Sequence, residues 1–387
     1  MTTVIHPPAQ ELLRSWRHDF HRHPETAFEE KRTNARLLEI LNELPNLAVH
    51  SGWGHGTGIV AVLKGTGGPG PSIGLRADID ALDVDELTDL PYQSTIEGKM
   101  HACGHDGHMT MLLGAVHSLA RQPDFAGTVH FIFQPAEENE GGARVMVEEG
   151  LFERFPMDAV FAVHNWPGLP LGEAVVNDGP VMAAFDIFDL TLHGQGCHAA
   201  KPEEGTDTIL AASQLITQLQ GVISREVAPH EPAVLSFTSI EAGHTYNVIP
   251  ESVHLRGTIR CFDPELQARL QQRFEEAVQA LAGFHRLRAE LDYQSRYPAT
   301  INNPEHAQIC VQALEAVPAI HTIHRNQTPS MGSEDFSFML EKVPGAYIWL
   351  GNGVDSAPLH NPHYDFNDEL LPIGVQYWLS LVRQLLG

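Results

Sequence analysis

The sequence predicts a two-domain protein of the α/β class, in which a smaller α+β domain is inserted into a larger domain with a mostly parallel sheet. The first observation is the alternation of apolar strands and amphipathic helices in the N-terminal part of the chain. The second is a β-α-β-β-α-β order in the middle, after which the chain returns to its first style. We therefore expect the larger domain over residues 1–180 and 294–387, and the inserted domain over 181–293.

Hydrophobic periodicity places the elements of the larger domain. Apolar residues at helical spacing predict helices within 10–44, over 105–120 and near 372–386. Short apolar runs bounded by turn residues predict strands. These strands are expected over 57–65, 72–82, 127–138 and 159–166. Polar clusters follow most of them, and ligands of parallel α/β sheets bind at the carboxyl ends of the strands, so we expect the functional site at that edge.

The inserted domain is predicted by strands that alternate apolar and polar residues around two amphipathic helices. The strands are expected over 185–194, 233–243, 252–262 and 285–294, and the helices over 206–223 and 264–284. Pro264, with Asp263 in front of it, is typical of a helix start. The order β-α-β-β-α-β is that of a ferredoxin-like split βαβ unit.

Composition and charge restrict the class of protein. Apolar residues make up 43% of the 387 residues and charged residues 19%, which is typical of a globular chain and excludes extended disorder. Lys and Arg number 24 against 49 Asp and Glu, a formal net charge of −25, so phosphate backbones and anionic membranes would repel the chain. We therefore expect neither nucleic acid nor a membrane as a partner.

Three further features concern the compartment. No apolar run reaches about 18 residues, the length that predicts a membrane span. The N-terminal residues lack the cationic start and apolar stretch of a signal peptide. The four cysteines, at 103, 197, 261 and 310, form no CxxC pair and do not resemble a disulfide framework. We expect reduced thiols and a cytoplasmic protein.

The strongest chemical signal is the segment MHACGHDGH over 100–108. A thiolate and imidazoles within a few residues are ligands suited to zinc, manganese or cobalt. Cys103 and His105 are two residues apart, so in an extended segment their side chains point the same way. A buried cysteine beside helix-capping residues is the alternative, but it explains neither the three histidines nor the flanking glycines.

Two adjacent glutamates, Glu137 and Glu138, end the apolar strand predicted over 127–138. Adjacent carboxylates at a strand end can divide the work of a hydrolytic site. One binds a metal, and the other, whose pKa is raised by its neighbour and by partial burial, takes a proton from metal-bound water. A solvated surface pair is the alternative, and the apolar run in front of the glutamates disfavours it.

Two isolated histidines extend the candidate metal site. His164 ends another apolar strand, and His360 lies in the loop SAPLHNPHYDF. A single histidine is more often structural. Considered together, however, the candidate ligands are Cys103, His105, Glu138, His164 and His360. Such a set suffices for two metal ions with positions left for water, and Asp78 and Asp80 could hydrogen-bond to the ligating imidazoles.

Blocks of sequence along the whole chain resemble peptidase family M20, the aminoacylase- and carboxypeptidase-like metallopeptidases. The similarity is greatest to its amidohydrolase subfamily, which includes hippurate hydrolases and N-acyl-amino-acid amidohydrolases. The blocks, in order, are RHDFHRHPETAFEE, GLRADIDAL, MHACGHDGHMTMLLG, FIFQPAEE, HAAKP, YNVIP with GTIR, MGSEDF and LHNPHYDFND.

This resemblance implies a zinc-peptidase-like catalytic domain that holds two divalent ions, with zinc, manganese, cobalt and nickel as the candidates. The implied ligands are Cys103, His105, Glu138, His164 and His360, with Cys103 in the place of a bridging aspartate. Glu137 matches the general acid/base, and Asp80 matches an aspartate that orients a ligand. Asp78 falls where many members of the wider family have a metal-binding histidine.

For the inserted domain, the resemblance implies a lid and dimerisation domain, and a homodimer or homotetramer. His198 matches a histidine that polarises the scissile carbonyl. Asn247 and Arg260 match residues that hold the carboxylate end of the substrate, and Gly332 lies where backbone contacts to substrate are expected. Lys201 departs from the pattern HAAMPH of many relatives and could favour an acidic substrate or lie in solvent.

The predicted function is metal-dependent hydrolysis of the amide bond of N-acyl amino acids, such as hippurate-like N-benzoyl or N-acetyl conjugates. A dipeptidase and an N-acetyldiaminopimelate-type deacetylase are the alternatives with the same kind of site. A non-catalytic binder of small conjugates would need the metal ligands but not Glu137. A redox role for Cys103 is the weakest alternative.

Overall fold

The computed structural model describes residues 7–138 and 140–387. Residues 1–6, where the segment examined for a signal peptide begins, lie outside the described residues. The strands are β1 (Leu47–Trp53), β2 (Gly58–Lys64), β3 (Ser72–Asp78), β4 (Thr128–Gln134), β5 (Ala159–Pro167), β6 (Glu173–Val176), β7 (Pro180–Met182), β8 (Ala184–His193), β9 (Cys197–His198), β10 (Ala233–Ala242), β11 (Val248–Ile249), β12 (Ser252–Cys261), β13 (Arg288–Tyr297), β14 (Thr300–Ile301), β15 (Thr322–Arg325) and β16 (Gly345–Gly353).

The α-helices alternate with these strands in the first part of the chain. They are α1 (Gln10–His21), α2 (Lys31–Asn42), α3 (His105–Arg121), α4 (Gly142–Glu148), α5 (Leu151–Arg154), α6 (Thr208–Glu226), α7 (Pro264–His285), α8 (Pro304–Glu315), α9 (Ser337–Leu340) and α10 (Leu370–Leu386). No helix in the described ranges is long and apolar enough to cross a membrane.

The chain divides into two compact units. The first comprises Met1–Val181, Ile301–Pro329 and Asp335–Gly387, and the second comprises Met182–Thr300 and Ser330–Glu334. Strands and helices alternate in the first unit, whereas the second contains the β-α-β-β-α-β order. The predicted fold class, an α/β fold with a mostly parallel sheet and an α+β insertion, is confirmed.

The first unit is built on an eight-stranded sheet with the order β1-β2-β4-β3-β5-β16-β6-β15. Its central strands β4, β3, β5 and β16 run parallel to one another. Leu75 in β3 pairs with Phe131 in β4 and with Phe161 in β5, and all three side chains are fully buried. Nearly all of α3 is buried as well, because α1, α10 and the sheet pack around it. The start of α3 is therefore fixed by the core.

Two differences from the predicted elements matter for the site. The helical periodicity within 10–44 corresponds to two helices separated by the loop 22–30, which contains Pro24. Strand β4 ends at Gln134, so both glutamates lie beyond the strand rather than at its end. Pro135 and the left-handed Ala136 (φ 50°) end the extended backbone there. The loop carries Glu25 and Glu30, and the turn carries Glu137 and Glu138.

The second unit contains a four-stranded antiparallel sheet with the order β10-β12-β8-β13. Its buried face carries Phe188 and Leu190 of β8, and α7 contributes Phe274 against Phe188. Asp207 and Asp263 cap α6 and α7 through the N–H groups of residues 210 and 266, as the sequence predicts for Asp263. Strand β13 begins at Arg288, three residues later than predicted, because α7 continues to His285.

Candidate metal centre

The five candidate ligands of the first unit come from four separate segments and meet in overlapping groups. Within each group the ligand atoms lie within 4.8 Å of one another. The groups are Cys103–His105–His164, Cys103–Glu138–His360 and His105–Glu137–Glu138. Cys103, His105 and Glu138 each belong to two groups, so the three groups form one continuous cluster.

Cys103 and His105 are placed by a glycine turn and not by the extended segment that the sequence suggests. Gly104 has φ 91° and directly precedes His105, the first residue of α3. A Cβ atom on Gly104 would lie 2.5 Å from Asn165 Oδ1 and from the Tyr364 hydroxyl. Only glycine fits this position, because the backbone is left-handed and the space is closed.

Cys103 Sγ lies 3.4 Å from His164 Nε2, and both side chains are buried. His164 Nδ1 donates to its neighbour's main-chain carbonyl, Asn165 O, at 2.6 Å. This bond leaves the lone pair of Nε2 directed at the site. Burial and the nearby Glu138 and Glu137 carboxylates raise the pKa of the Cys103 thiol, whereas burial and His108 lower the pKa of His164.

His105 is oriented by Asp80. Its Nδ1 donates toward Asp80 O at 3.0 Å and Asp80 Oδ1 at 3.1 Å, while Asp80 Oδ2 accepts the main-chain N–H of Glu138 at 2.9 Å. His105 Nε2 is buried and has no hydrogen-bond partner among the described residues. Burial alone would lower the pKa of His105, but the Asp78 and Asp80 carboxylates outweigh it and raise the pKa to about 10.

His360 lies at the open side of the cluster, with 52% of its side chain exposed. Its Nε2 is 3.1 Å from Glu138 Oε1, and this contact raises the pKa of His360. The backbone of His360 is left-handed (φ 63°), and its N–H donates to Ala102 O at 2.8 Å. The loop that carries His360 is thereby fixed to the residue before Cys103.

Glu137 is buried beside the cluster, with 6% exposed surface. Its Oε1 accepts the main-chain N–H of Asp335 at 3.3 Å. The Asp335 carboxylate in turn accepts hydrogen bonds from Arg76, Gln134 and the main chain of Ala143. Glu137 is therefore held by a residue that is itself tied to β3, β4 and the start of α4.

The donor set fits divalent transition-metal ions. A thiol, three imidazoles and carboxylates are the ligand types of zinc, manganese, cobalt and nickel sites. Within the described part of the chain, the buried Nε2 of His105 has no hydrogen-bond partner, which would be costly in the absence of a ligand. Asp80 and the Asn165 carbonyl supply the outer hydrogen bonds that ligating histidines usually make.

Comparison with known proteins decides the family. The family model of peptidase family M20/M25/M40 matches residues 74–384. The chain belongs to this family. It is 38% identical over 370 residues to a hippurate hydrolase of Campylobacter jejuni subsp. jejuni, covering 96% of this chain and 95% of the relative. It is 36% identical over 378 residues to an N-acetylcysteine deacetylase of Bacillus subtilis, covering 95% of each.

A solved structure supports the same assignment. A Bacillus subtilis protein described as a dinuclear metal-binding peptidase of family M20 has a TM-score of 0.83 and 34% identity, covering 96% of this chain and 97% of that chain. The resemblance to family M20 predicted from the sequence is confirmed, and the chain is a metal-dependent amidohydrolase of this family.

The contacts of Asp78 in this M20 site differ from the prediction, and one neighbouring residue, Asn165, is not predicted from the sequence. Asp78 does not hydrogen-bond to a candidate ligand; its Oδ1 accepts from His108 Nδ1 at 2.7 Å, and its Oδ2 lies 3.8 Å from His105 Nε2. His108 Nε2 lies 2.7 Å from Asn165 Oδ1. Asp78 is thus linked to the candidate ligand His164 through His108, whose ring centroid lies 4.4 Å from that of His164. His108 stands in the MHACGHDGH segment, but no pattern in the sequence marks Asn165.

The remaining predicted site residues, His198, Asn247, Arg260 and Gly332, lie in the second unit. His198 in β9 is exposed and pairs with β11, and the N–H of Ala199 donates to Asn247 O at 2.9 Å. Arg260 Nη1 donates to the Ser333 hydroxyl at 3.1 Å, next to Gly332. Arg260 also lies 3.8 Å from the ring centroid of Phe185. Burial lowers the pKa of Arg260, and the adjacent Asp186 opposes this change.

Proposed function

We propose that the protein hydrolyses the amide bond of N-acyl amino acids with two divalent metal ions. The carrying observation is that Glu137 shares a group of ligand-distance atoms with His105 and Glu138, while its own carboxylate is held by Asp335. A site that only binds a conjugate would not need this additional buried carboxylate beside its metal ligands.

The candidate ligands would hold two ions in two overlapping groups. Cys103, His105 and His164 form one group, Cys103, Glu138 and His360 form the other, and Cys103 is common to both. Divalent ions bound there would lower the pKa of a water molecule and polarise the scissile carbonyl. Asp80 keeps the Nδ1 of His105 protonated, so that Nε2 is the ligating atom.

Glu137 moves the proton in this proposal. It takes a proton from the attacking water and delivers it to the amine nitrogen as the amide C–N bond breaks. The products are a carboxylate and a free amino acid. The N–H of Asp335 fixes Glu137 Oε1 at 3.3 Å and so sets the direction from which the carboxylate approaches the water.

We assign the substrate contacts to the second unit. His198 Nδ1 accepts the N–H of Ala200 at 3.0 Å, so the neutral ring carries its proton on Nε2, where it can donate to a carbonyl oxygen. Arg260 and Asn247 are assigned to the substrate carboxylate, and Gly332 to a main-chain contact. Association into a homodimer or homotetramer, the cytoplasmic location and the metal identity stay predictions.

The proposed substrates are N-benzoylglycine first and N-acetyl amino acids second. Two relatives, a hippurate hydrolase and an N-acetylcysteine deacetylase, act on conjugates of these two kinds according to their names. The neutral or small acyl group distinguishes these proposed substrates from dipeptides, whose free amine would carry a charge.

The test is amine release from N-benzoylglycine, N-acetyl-L-cysteine, other N-acetyl amino acids and dipeptides. Protein stripped with a chelator is compared with protein reloaded with manganese or zinc, and metal content is measured in parallel. We expect metal-dependent release that Glu137→Ala reduces by about 1,000-fold or more while two ions stay bound. Cleavage of dipeptides alone contradicts the substrate class, and an unaffected Glu137→Ala variant contradicts the mechanism.

A further inference from the structure

The turn that carries Glu137 and Glu138 has a strained start. Ala136 precedes both glutamates and is fully buried. Its φ of 50° is a left-handed conformation that residues other than glycine rarely adopt. Such a conformation persists only where surrounding contacts hold it. The contacts of Ala136 therefore decide where the two carboxylates that follow it point.

Glu30 supplies one of these contacts from the loop between α1 and α2. Its side chain is fully buried, and its Oε1 accepts the main-chain N–H of Ala136 at 3.0 Å. The same oxygen accepts the N–H of Phe28, itself left-handed with φ 65°, at 3.1 Å. Glu30 Oε2 accepts from the Thr57 hydroxyl at 2.8 Å. One carboxylate thus joins two strained residues and the start of β2.

The other side of the turn is closed as well. Gly142 donates its N–H to Ala136 O at 2.9 Å, so both main-chain polar groups of Ala136 are in use. A Cβ atom on Gly142 would lie 1.8 Å from Pro135 O, and one on Gly54 would lie 2.6 Å from the Pro135 ring. Without Glu30, the N–H of Ala136 would be buried and unpaired, and the turn would have to change.

We propose that Glu30 is a positioning residue for hydrolysis: by holding Ala136 in its left-handed conformation, it sets the placement of Glu137 and Glu138. This inference rests on the proposed function for the roles of the two glutamates. The hydrogen bonds of the Glu30 carboxylate reach the N–H groups of Phe28 and Ala136 and the Thr57 hydroxyl. Of these contacts, the one to Ala136 connects Glu30 to the turn that carries the two glutamates.

Glu25 provides a matched control in the same loop. Its carboxylate accepts the main-chain N–H groups of Arg32 and Thr33 at 2.9 and 2.8 Å, which stabilises the start of α2. It therefore makes the same kind of hydrogen bond as Glu30 without contact to Ala136. Glu30→Gln is the conservative variant, because an amide oxygen can accept both N–H groups and the Thr57 hydroxyl can turn to accept from the amide.

The experiment measures Glu30→Ala, Glu30→Gln and Glu25→Ala as full-length protein. Affinity for cobalt is followed by titration of the stripped protein in visible absorption, and kcat and KM are measured for N-benzoylglycine. For Glu30→Ala we expect kcat to fall about 10- to 100-fold, KM to change less than about 3-fold, and cobalt affinity to fall about 10-fold. Glu30→Gln is expected to recover most of each loss, and Glu25→Ala to lower only the melting temperature.

Two results overturn the proposal: wild-type kcat and cobalt affinity in Glu30→Ala, or equal losses in Glu30→Ala and Glu25→Ala at the same folded fraction. If Glu30→Ala does not fold, Thr57→Val, which removes only the hydroxyl that holds Oε2, is expected to lower kcat and cobalt affinity about 3-fold, and unchanged values then overturn it. If the wild type hydrolyses no N-acyl amino acid, the proposed function fails, and the cobalt titration alone decides the role of Glu30.

Discussion

Asp80 Oδ2 accepts the main-chain N–H of Glu138 at 2.9 Å. The other oxygen of Asp80 lies 3.1 Å from His105 Nδ1. One carboxylate therefore orients an imidazole at the start of α3 and the carboxylate turn after β4. Because β3 and β4 are parallel neighbours, their carboxyl ends bring Asp80 and Glu138 to the same edge of the sheet.

Asp80→Asn is expected to weaken metal binding. The amide nitrogen would have to face either the Nδ1–H of His105 or the N–H of Glu138, so two donors would oppose each other. We expect the affinity for cobalt to fall about 10- to 100-fold, measured by titration of the stripped protein. Asp85→Asn, at an exposed position of the following loop, is the control. Equal affinities of the two variants would show that Asp80 does not orient these ligands.

Metal binding is expected to release protons, and the apparent affinity to rise with pH. In the metal-free protein His105 holds its proton up to a pKa of about 10, and burial with the nearby glutamates keeps Cys103 a thiol because its pKa is raised. Binding as Nε2 and thiolate displaces both protons, so affinity increases as the pH rises through neutrality.

Isothermal titration of zinc at pH 7 in buffers of different ionisation enthalpy measures this release. We expect the release of about two protons when a metal ion binds to His105 and Cys103. The Cys103→Ser variant is the control, because it has no thiol to lose a proton on metal binding. We expect it to release about one proton fewer. Binding without proton release would contradict the assignment of these two ligands.

The sequence predicts the positions of the candidate ligands better than it predicts what holds them. His164 lies near the carboxyl end of the apolar strand β5, and the glutamate pair follows β4. Strand ends of a parallel sheet converge, so the meeting of these side chains could be expected. The contact of Asp80 with Glu138 could not be predicted from the sequence, because it depends on the register of β3 and β4. No sequence pattern predicts the left-handed backbone of Ala136, because alanine rarely adopts this conformation.

Buried charge is a second feature that sequence patterns do not reveal. Arg17 stands on an amphipathic helix and would be placed in solvent by its type, yet its side chain is fully buried. It lies among Asp106, Asp365 and Asp368, which come from distant parts of the chain. The packing of α1 against α3 and α10 brings these charges together.

Asp106→Asn is expected to destabilise the protein strongly. Asp106 Oδ2 lies 2.8 Å from His21 Nδ1 and 3.5 Å from Arg17 Nη1, and all three side chains are fully buried. The substitution removes the carboxylate that Arg17 and His21 share and leaves their buried charges only partly compensated, so we expect a loss of about 3–5 kcal/mol in the free energy of unfolding. Urea unfolding of the metal-free protein measures it. Asp19→Asn, whose partners Arg32 and Arg36 are partly exposed, is the control, with an expected loss below about 1 kcal/mol.

The same network predicts how stability depends on pH. Burial would lower the pKa of His21, but Asp106 and Glu86 outweigh it and raise the pKa from 6.5 to about 9. The stability that charged His21 contributes is therefore fully present below pH 6.5 and is lost as the pH rises through about 9. We expect His21→Gln to narrow the difference in unfolding free energy between pH 7 and pH 9.5. An unchanged difference would show that His21 is not charged in the folded protein.

Gly107→Ala is expected to disturb the start of α3 and with it the metal centre. A Cβ atom at Gly107 would lie 2.3 Å from the ring of Phe366, which is 1% exposed and cannot turn away into solvent. We expect a loss of about 1–3 kcal/mol in unfolding free energy and weaker cobalt binding, because His105 lies in the same helical turn. Gly221→Ala is the matched helix control: nothing lies within 4 Å of its added Cβ, and alanine favours the helix by about 0.5–1 kcal/mol. Urea unfolding and cobalt titration of both variants decide the matter, and a Gly107→Ala protein as stable as Gly221→Ala would mean that Phe366 does not fix the start of α3.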